Sequence, residues 1–323
     1  MIKYSFIIPV KAINDYIRET VGKILLIPRE DYEIIIYPDV CSNDNWEKTK
    51  QIATGHVGPA EKRSLAIRDA VGEILVFIDD DAYPENNFLD ILDQNFVDER
   101  IVAVGGPAIT PKNDSFWQKV SGAVFLSSFS GGFPERYISV GEKKLVEDWP
   151  SVNFSIRKNI FAEVNGFNSN FWPGEDTKLC LDILKLNKGK ILYDPGLIVY
   201  HHRREGLFRH LKQIGGYGLH RGHFAKKFPE TSLKLKYLLP SLFLLFVFVG
   251  LVGSFLLPII FKLYLLGWSV YLLVLAKVFF DILKYENFWI AITAIYYTFF
   301  THLYYGFRFL QGLLTKNLQS QLR

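Results

Sequence analysis

The chain has 323 residues, with 37 Lys and Arg against 33 Asp and Glu, two cysteines and an apolar share of 49%. That length allows one large domain or two modest ones, and two cysteines exclude a disulfide framework and fit a reducing compartment. The slight positive charge hides a local excess: His201–Lys236 holds nine Lys and Arg against Glu205 and Glu230.

The N-terminal MIKYSFIIPVKAIND has an apolar run too short for a secretory signal. It reads as a strand, Tyr4–Val10. Glu33–Tyr37 and Glu73–Asp79 are two more β-branched, apolar runs, the last preceded by a helical stretch from Ala60 to Val71. Strands alternating with helices predict βαβ units and a mainly parallel sheet, which binds ligands beyond the carboxyl ends of its strands. Asp39 and Asp79–Asp81 sit at those ends.

Ile101–Pro111 reads as a strand running into a turn. Asn113–Val146, with SSFSGGF, reads as loops beside a cleft. Structure resumes at Trp149–Lys158, a helix over Asp176–Leu186 and a strand over Ile191–Tyr193.

From Tyr237 to Leu314 the sequence is overwhelmingly apolar and aromatic, more than a soluble monomer tolerates on its surface. Leu238–Phe261 carries no charge and is long enough to span the roughly 30 Å hydrocarbon layer. A second segment runs over 263–283 and a third over Phe288–Phe307. The first two are expected to form a hairpin with Lys262 at the far side. A full crossing by the third would put Arg308, Lys316 and Arg323 outside, against the positive-inside tendency. The expected organisation is a domain over 1–236 including the basic segment, a membrane region over 237–314 and a polar tail over 315–323. A basic segment beside a span marks the cytoplasmic side and suits anionic lipid. That position favours membrane lipids as partners and not nucleic acid.

Three clusters carry chemistry. In FIDDDAYP, three successive aspartates repel unless a cation sits among them; hard oxygen ligands suit Mg²⁺ or Mn²⁺, and a solvated turn is the plainer alternative. In WPGEDTKLCL, Glu175 and Asp176 open a helix, either as an acidic cap or as a general base with its supporting acid. In ILYDPGLIVYHHRR, His201 and His202 follow a strand and read as ligands, phosphate contacts or surface residues.

The order of these pieces, with SFIIPV, YPDVCSND, GPAEKRSLAIRDAVGEILVFIDDDAYP, VGGP, WPSVNFSIRK and VNGF, resembles glycosyltransferase family 2. The likeness is to the membrane-bound members of surface-polysaccharide (succinoglycan-type) biosynthesis, and it covers about Tyr4 to Phe228. It implies an α/β GT-A fold, a Rossmann-like mainly parallel sheet with flanking helices, followed by C-terminal transmembrane helices.

The implied activity is inverting, metal-dependent transfer from a nucleotide-sugar to a lipid-linked or polysaccharide acceptor. The catalytic domain would face the cytoplasm at the cell membrane. By the same resemblance Pro9, Asp39, Arg63, Asp79 and Asn153 bind substrate, with Ser64 replacing an asparagine that usually follows the arginine. Asp81, Asp79 and His201 hold Mn²⁺ or Mg²⁺, His202 being the lesser choice. Asp176 is the base, supported by Glu175. Gln213 and Arg221 lie where processive members carry Gln-x-x-Arg-Trp; that motif is missing, which favours single addition. Polyprenyl-phosphate sugar synthesis is the second enzymatic reading, and an inactive nucleotide-sugar-binding membrane protein is the reading from another class.

Overall fold

The computed structural model describes residues 1–318, in two compact units. One comprises Met1–Pro111 and Ile138–His202, the other Lys112–Tyr137 and Arg203–Leu318. Residues 319–323 of the expected polar tail, Arg323 among them, lie outside the described residues.

The strands, all in the first unit, are β1 Tyr4–Pro9, β2 Tyr32–Tyr37, β3 Thr49–Gln51, β4 Ile74–Ile78, β5 Ala82–Pro84, β6 Ile101–Gly105, β7 Ala108–Ile109, β8 Lys144–Val146, β9 Asn153–Arg157, β10 Lys190–Tyr193 and β11 Val199–His201. The helices are α1 Asp15–Ile24, α2 Pro59–Ser64, α3 Ala66–Asp69, α4 Phe88–Phe96, α5 Phe116–Ala123, α6 Lys158–Glu163, α7 Glu175–Leu186, α8 Leu207–Lys227, α9 Pro229–Ser232, α10 Leu235–Ser254, α11 Pro258–Ile282 and α12 Phe288–Leu314.

Eight strands form one sheet in the order β3-β2-β1-β4-β9-β6-β10-β8. β1 runs parallel to β2 and β4, and β6 parallel to β10, while β9 is antiparallel to both its neighbours. The continuous apolar runs follow from burial on both faces. Side chains alternate across the pleat: Phe6 and Ile8 pack with Ile17, Val21 and Leu92 of α1 and α4. Ile7 and Phe77 pack on the other face with Phe161, Leu179 and Ile183. A smaller sheet, β5-β11-β7, is built from short strands distant in sequence.

The expected Ala60–Val71 helix is two short helices broken at Leu65, and Ile101–Pro111 is two strands, β6 and β7. Asn113–Val146 differs from the expected loops. It contains α5, which opens with a capping box in which Ser115 accepts from the Gln118 amide and the Gln118 side chain accepts from the Ser115 amide.

In the second unit, α8 and α12 pack closely because glycines let their backbones approach. A Cβ on Gly222 would stand 2.0 Å from the Phe309 carbonyl oxygen, and one on Gly312 1.9 Å from that of Leu219. His210, fully buried, joins three helices: its ring nitrogens lie 2.8 Å from Ser121 Oγ of α5 and 2.9 Å from Thr301 Oγ1 of α12.

By length and composition α10 and α11 are each able to cross a membrane. Their break is at Phe255–Leu257, earlier than expected, because Pro258 starts α11, a position that needs no amide hydrogen. Lys262 therefore lies in the first turns of α11 and not in the connection. The third segment, α12, extends to Leu314 and buries Ala291, Ala294, Thr298, Thr301 and Phe309 along one face.

Candidate functional site

β4 ends at Ile78, and the next three residues turn outward before β5 begins at Ala82, whose amide donates to the Asp79 carbonyl at 3.2 Å. β11 pairs antiparallel with β5, with His201 opposite Ala82. That register sets His201 Nε2 3.1 Å from Asp81 Oδ1, both side chains largely buried. With Asp79 they form a cluster whose ligand atoms all lie within 4.8 Å of one another. Two carboxylates and one imidazole are a donor set suited to Mn²⁺ or Mg²⁺, and their convergence fits a single divalent ion. His202 turns elsewhere: its Nε2 lies 3.1 Å from Glu19 Oε2, and its ring packs on Tyr16 and Tyr83. Thr20 Oγ1 donates to the Asp80 carbonyl at 3.1 Å, which fastens the middle of the triplet to α1.

Arg63 lies behind this cluster, 3% exposed. Its Nη2 donates to Asp79 Oδ1 at 2.5 Å and its Nη1 to Glu175 Oε1 at 3.2 Å. The guanidinium thus bridges the metal-type cluster to the start of α7, and its flank faces the Phe167 ring. Glu175 is pushed up to about 7, by burial first and then by the neighbouring Asp176 charge, with Arg63 opposing. Asp176, less buried, accepts from the Thr177 amide at 2.8 Å. Gly174 supplies the positive φ of 116° that turns the chain into α7.

Asp39 follows β2, where its carboxylate pairs with buried Lys62 and lies 3.3 Å from His56 Nδ1. Lys62 also donates to the Val10 carbonyl at 2.7 Å, just past Pro9, which ends β1. Sequence reasoning passed over Lys62. Its signal was a lysine directly before the selected Arg63 in a helix opened by Pro59.

Ser64, in the place of the family's asparagine, donates to the Ala60 carbonyl and accepts from the Phe167 amide, so it ties α2 to the turn after α6. Asn153, fully buried in β9, donates to the carbonyls of Pro107 and Leu197 at 3.0 and 2.7 Å; its Oδ1 has no hydrogen-bond partner among the described residues. Gln213 and Arg221 belong to the second unit, on α8. Gln213 donates to the Tyr217 hydroxyl at 3.0 Å, and Arg221 to Ser232 Oγ at 3.3 Å.

A mostly parallel sheet with an acidic turn after its central strand, faced by a histidine from a small second sheet, defines a GT-A fold. A mannosyltransferase from Pyrobaculum calidifontis, solved with GDP-Man and Mn²⁺, has the same fold: TM-score 0.54, 15% identity, 98% of this chain and 88% of that one covered. Residues 5–165 match the family model described as Glycosyl transferase family 2, and the chain belongs to that family.

Among curated relatives, the pre-mycofactocin glycosyltransferase of Mycobacterium tuberculosis is 24% identical over 178 residues, 55% of this chain. The match spans 37% of that relative's length, little more than a third. The dolichyl N-acetyl-alpha-D-glucosaminyl phosphate 3-beta-D-2,3-diacetamido-2,3-dideoxy-beta-D-glucuronosyltransferase of Methanococcus voltae is 22% identical over 308 residues, 90% of each chain.

Proposed function

We propose that this protein is an inverting, metal-dependent glycosyltransferase that moves a sugar from a nucleotide-sugar to a membrane-associated, lipid-linked acceptor. The observation that carries this reading is the convergence of Asp79, Asp81 and His201 beside the Arg63–Glu175 bridge. A divalent ion held by those three would neutralise the donor's diphosphate as it leaves. Asp39 contacts the nucleotide base, its carboxylate oriented by Lys62 and His56. Arg63 holds Asp79 in place and fixes Glu175 behind Asp176. Asp176, at the open start of α7, takes the proton from the acceptor hydroxyl as that oxygen attacks the anomeric carbon. Pro9 and Asn153 shape the strand ends around the donor.

Two apolar helices long enough to cross a membrane, and a relative whose name specifies a dolichyl-phosphate-linked sugar, support a lipid-linked acceptor at a membrane, with the GT-A domain on the cytoplasmic side. The test uses detergent-solubilised full-length protein with a panel of nucleotide-sugars, measuring sugar release and transfer to lipid-linked acceptors with Mn²⁺, Mg²⁺ or a chelator. Release and transfer that vanish with chelator are expected, and metal-independent turnover would overturn the reading. Asp176→Asn should slow transfer by about 10²–10⁴-fold while donor binding holds. A normal transfer rate would remove the base assignment alone.

A further inference from the structure

The path of α12 is set by the helix packed against it. α8 runs beside α12 in the same direction, from Ile292 to Thr315. Leu207 and Phe208 share a groove with Ile292 and Tyr296, and His210 meets Thr301. Added carbons on Gly215, Gly218 and Gly222 would meet Tyr304, Tyr305 and Phe309, and Lys226 donates to the Thr315 carbonyl at 2.7 Å. α8 carries exposed Arg209 and Lys212 near one end and exposed Lys226 near the other. The stretch between Lys212 and Lys226 covers about 20 Å of helix, against roughly 30 Å of hydrocarbon. α12 cannot cross a bilayer without drawing those charges in, which is costly. Among the described residues, α10 and α11 are the helices long and apolar enough to cross, and little of either is buried.

The groove between the starts of α8 and α12 is open, about 560 Å³ in volume, with Trp117 of α5 on its wall. Phe208 is 87% exposed, Trp289 70% and Tyr296 56%. Trp289, Ile292 and Tyr296 recur at three- and four-residue spacing and so share one face of α12. Lys212 stands one turn after Phe208 on the same face of α8. Exposed aromatic side chains bordered by cations suit neither open water nor the hydrocarbon centre. They match the lipid–water boundary, where Trp and Tyr are enriched and Lys and Arg meet anionic headgroups. The level of that boundary is marked by Asp281 at the end of α11, which accepts from Ser127 and Lys284 at 3.0 and 3.1 Å. α12 begins just past it, at Phe288.

We propose that α5, α8 and α12 present a face to the membrane surface. Trp117, Phe208, Trp289, Ile292 and Tyr296 enter the acyl boundary, and Arg209 and Lys212 meet anionic lipid headgroups. α12 lies along the bilayer, and both its ends stay on one side. The inference rests on the reading of α10 and α11 as the membrane hairpin.

The test uses full-length protein in sealed vesicles of one orientation, with Cys41→Ser to remove the exposed thiol and buried Cys180 kept. Single cysteines replace exposed Tyr285, Leu256 or Lys316 and are treated with an impermeant maleimide. Tyr285→Cys and Lys316→Cys should label from the same side. Labelling from opposite sides would mean that α12 crosses and would overturn the inference. Leu256→Cys, in the turn between α10 and α11, should label only from the other side. If it labels with the other two, the spanning reading of α10 and α11 fails, and the immersion of Tyr296 still decides this face.

That immersion is read from a nitroxide on Tyr296→Cys, an exposed position that no buried packing depends on. In vesicles containing phosphatidylglycerol the label should collide with oxygen more than with a water-soluble nickel complex. Access to both reagents as in water would overturn the face, and shielding from both would assign it to a second copy instead. Arg209→Gln/Lys212→Gln should make the label shallower; unchanged depth would overturn the headgroup assignment. None of these readouts needs sugar transfer, so an inactive protein that passes them keeps this face and loses the proposed activity.

Discussion

His201 Nε2 lies 3.1 Å from Asp81 Oδ1 because β11 pairs with β5 in a register that sets His201 opposite Ala82. The histidine therefore depends on a three-residue strand for its position. His201→Ala and Asp81→Asn should both raise the Mn²⁺ concentration needed for half-maximal sugar release, and Asp81→Asn should cut the rate by more than about a hundredfold. Release assayed across a Mn²⁺ titration checks this; His202→Ala, which loses a contact to Glu19 instead, should leave the metal requirement near wild type.

Arg63 holds two carboxylates from a buried position. Removing one partner of a buried ion pair leaves charge uncompensated, so Arg63→Ala should cost about 3–5 kcal/mol of stability. Arg63→Lys should recover part of that loss, since an ammonium cannot fork to both acids as a guanidinium does. Thermal unfolding with and without nucleotide-sugar reads both. A variant as stable as wild type would show that the bridge is incidental.

Asp93 gives an acid-side prediction. Burial raises its pKa, but hydrogen bonds from Lys3, Tyr4 and Arg29 outweigh that and hold it down to about 2, against an ordinary 3.8. A depressed folded pKa means the stabilisation is complete above about pH 4 and is lost as the pH falls through about 2. Asp93→Asn should lower stability at pH 7 by about 1 kcal/mol, allowing for screening of a group one-third exposed. The gap to wild type should close between pH 4 and pH 2. Unfolding curves over that range measure it, and a gap constant with pH would contradict the assignment.

Gly222 tests the second unit. An alanine there would need either α8 or α12 to move, since the added carbon stands 2.0 Å from the Phe309 carbonyl. Overpacking of this kind costs typically about 1–3 kcal/mol. Gly222→Ala should lower the unfolding temperature in detergent, whereas Gly132→Ala at an open loop position, though strained by its positive φ, meets no neighbour.

How much of this was legible follows the physics of each part. β1, β2 and β4 stood out because strands buried on both faces are continuous apolar runs. The Asp79, Asp81 and His201 set was named from motif order, but its geometry was not readable: β5 and β11 are three residues each, and no periodicity announces a pairing so distant. The Arg63–Glu175 bridge was invisible for the same reason. α5 was missed although Ser115 and Gln118 spell a capping box, because the Gly and Ser residues after it dominated the reading. In α8, Gly215, Gly218 and Gly222 are ordinarily helix-weakening residues; here each meets α12 in place of solvent.

Residues 112–137 belong to the unit of the apolar helices, although the GT-A unit flanks them on both sides in sequence. A chain cut after His202 would keep α5, with Val120, Ser121 and Ala123 stripped of the helices that cover them. The apolar unit is spliced into the catalytic sequence as well as appended to it. A water-soluble version would have to replace the 112–137 insertion too, and proteolysis meant to shave off the hydrophobic end would leave a fragment inclined to aggregate.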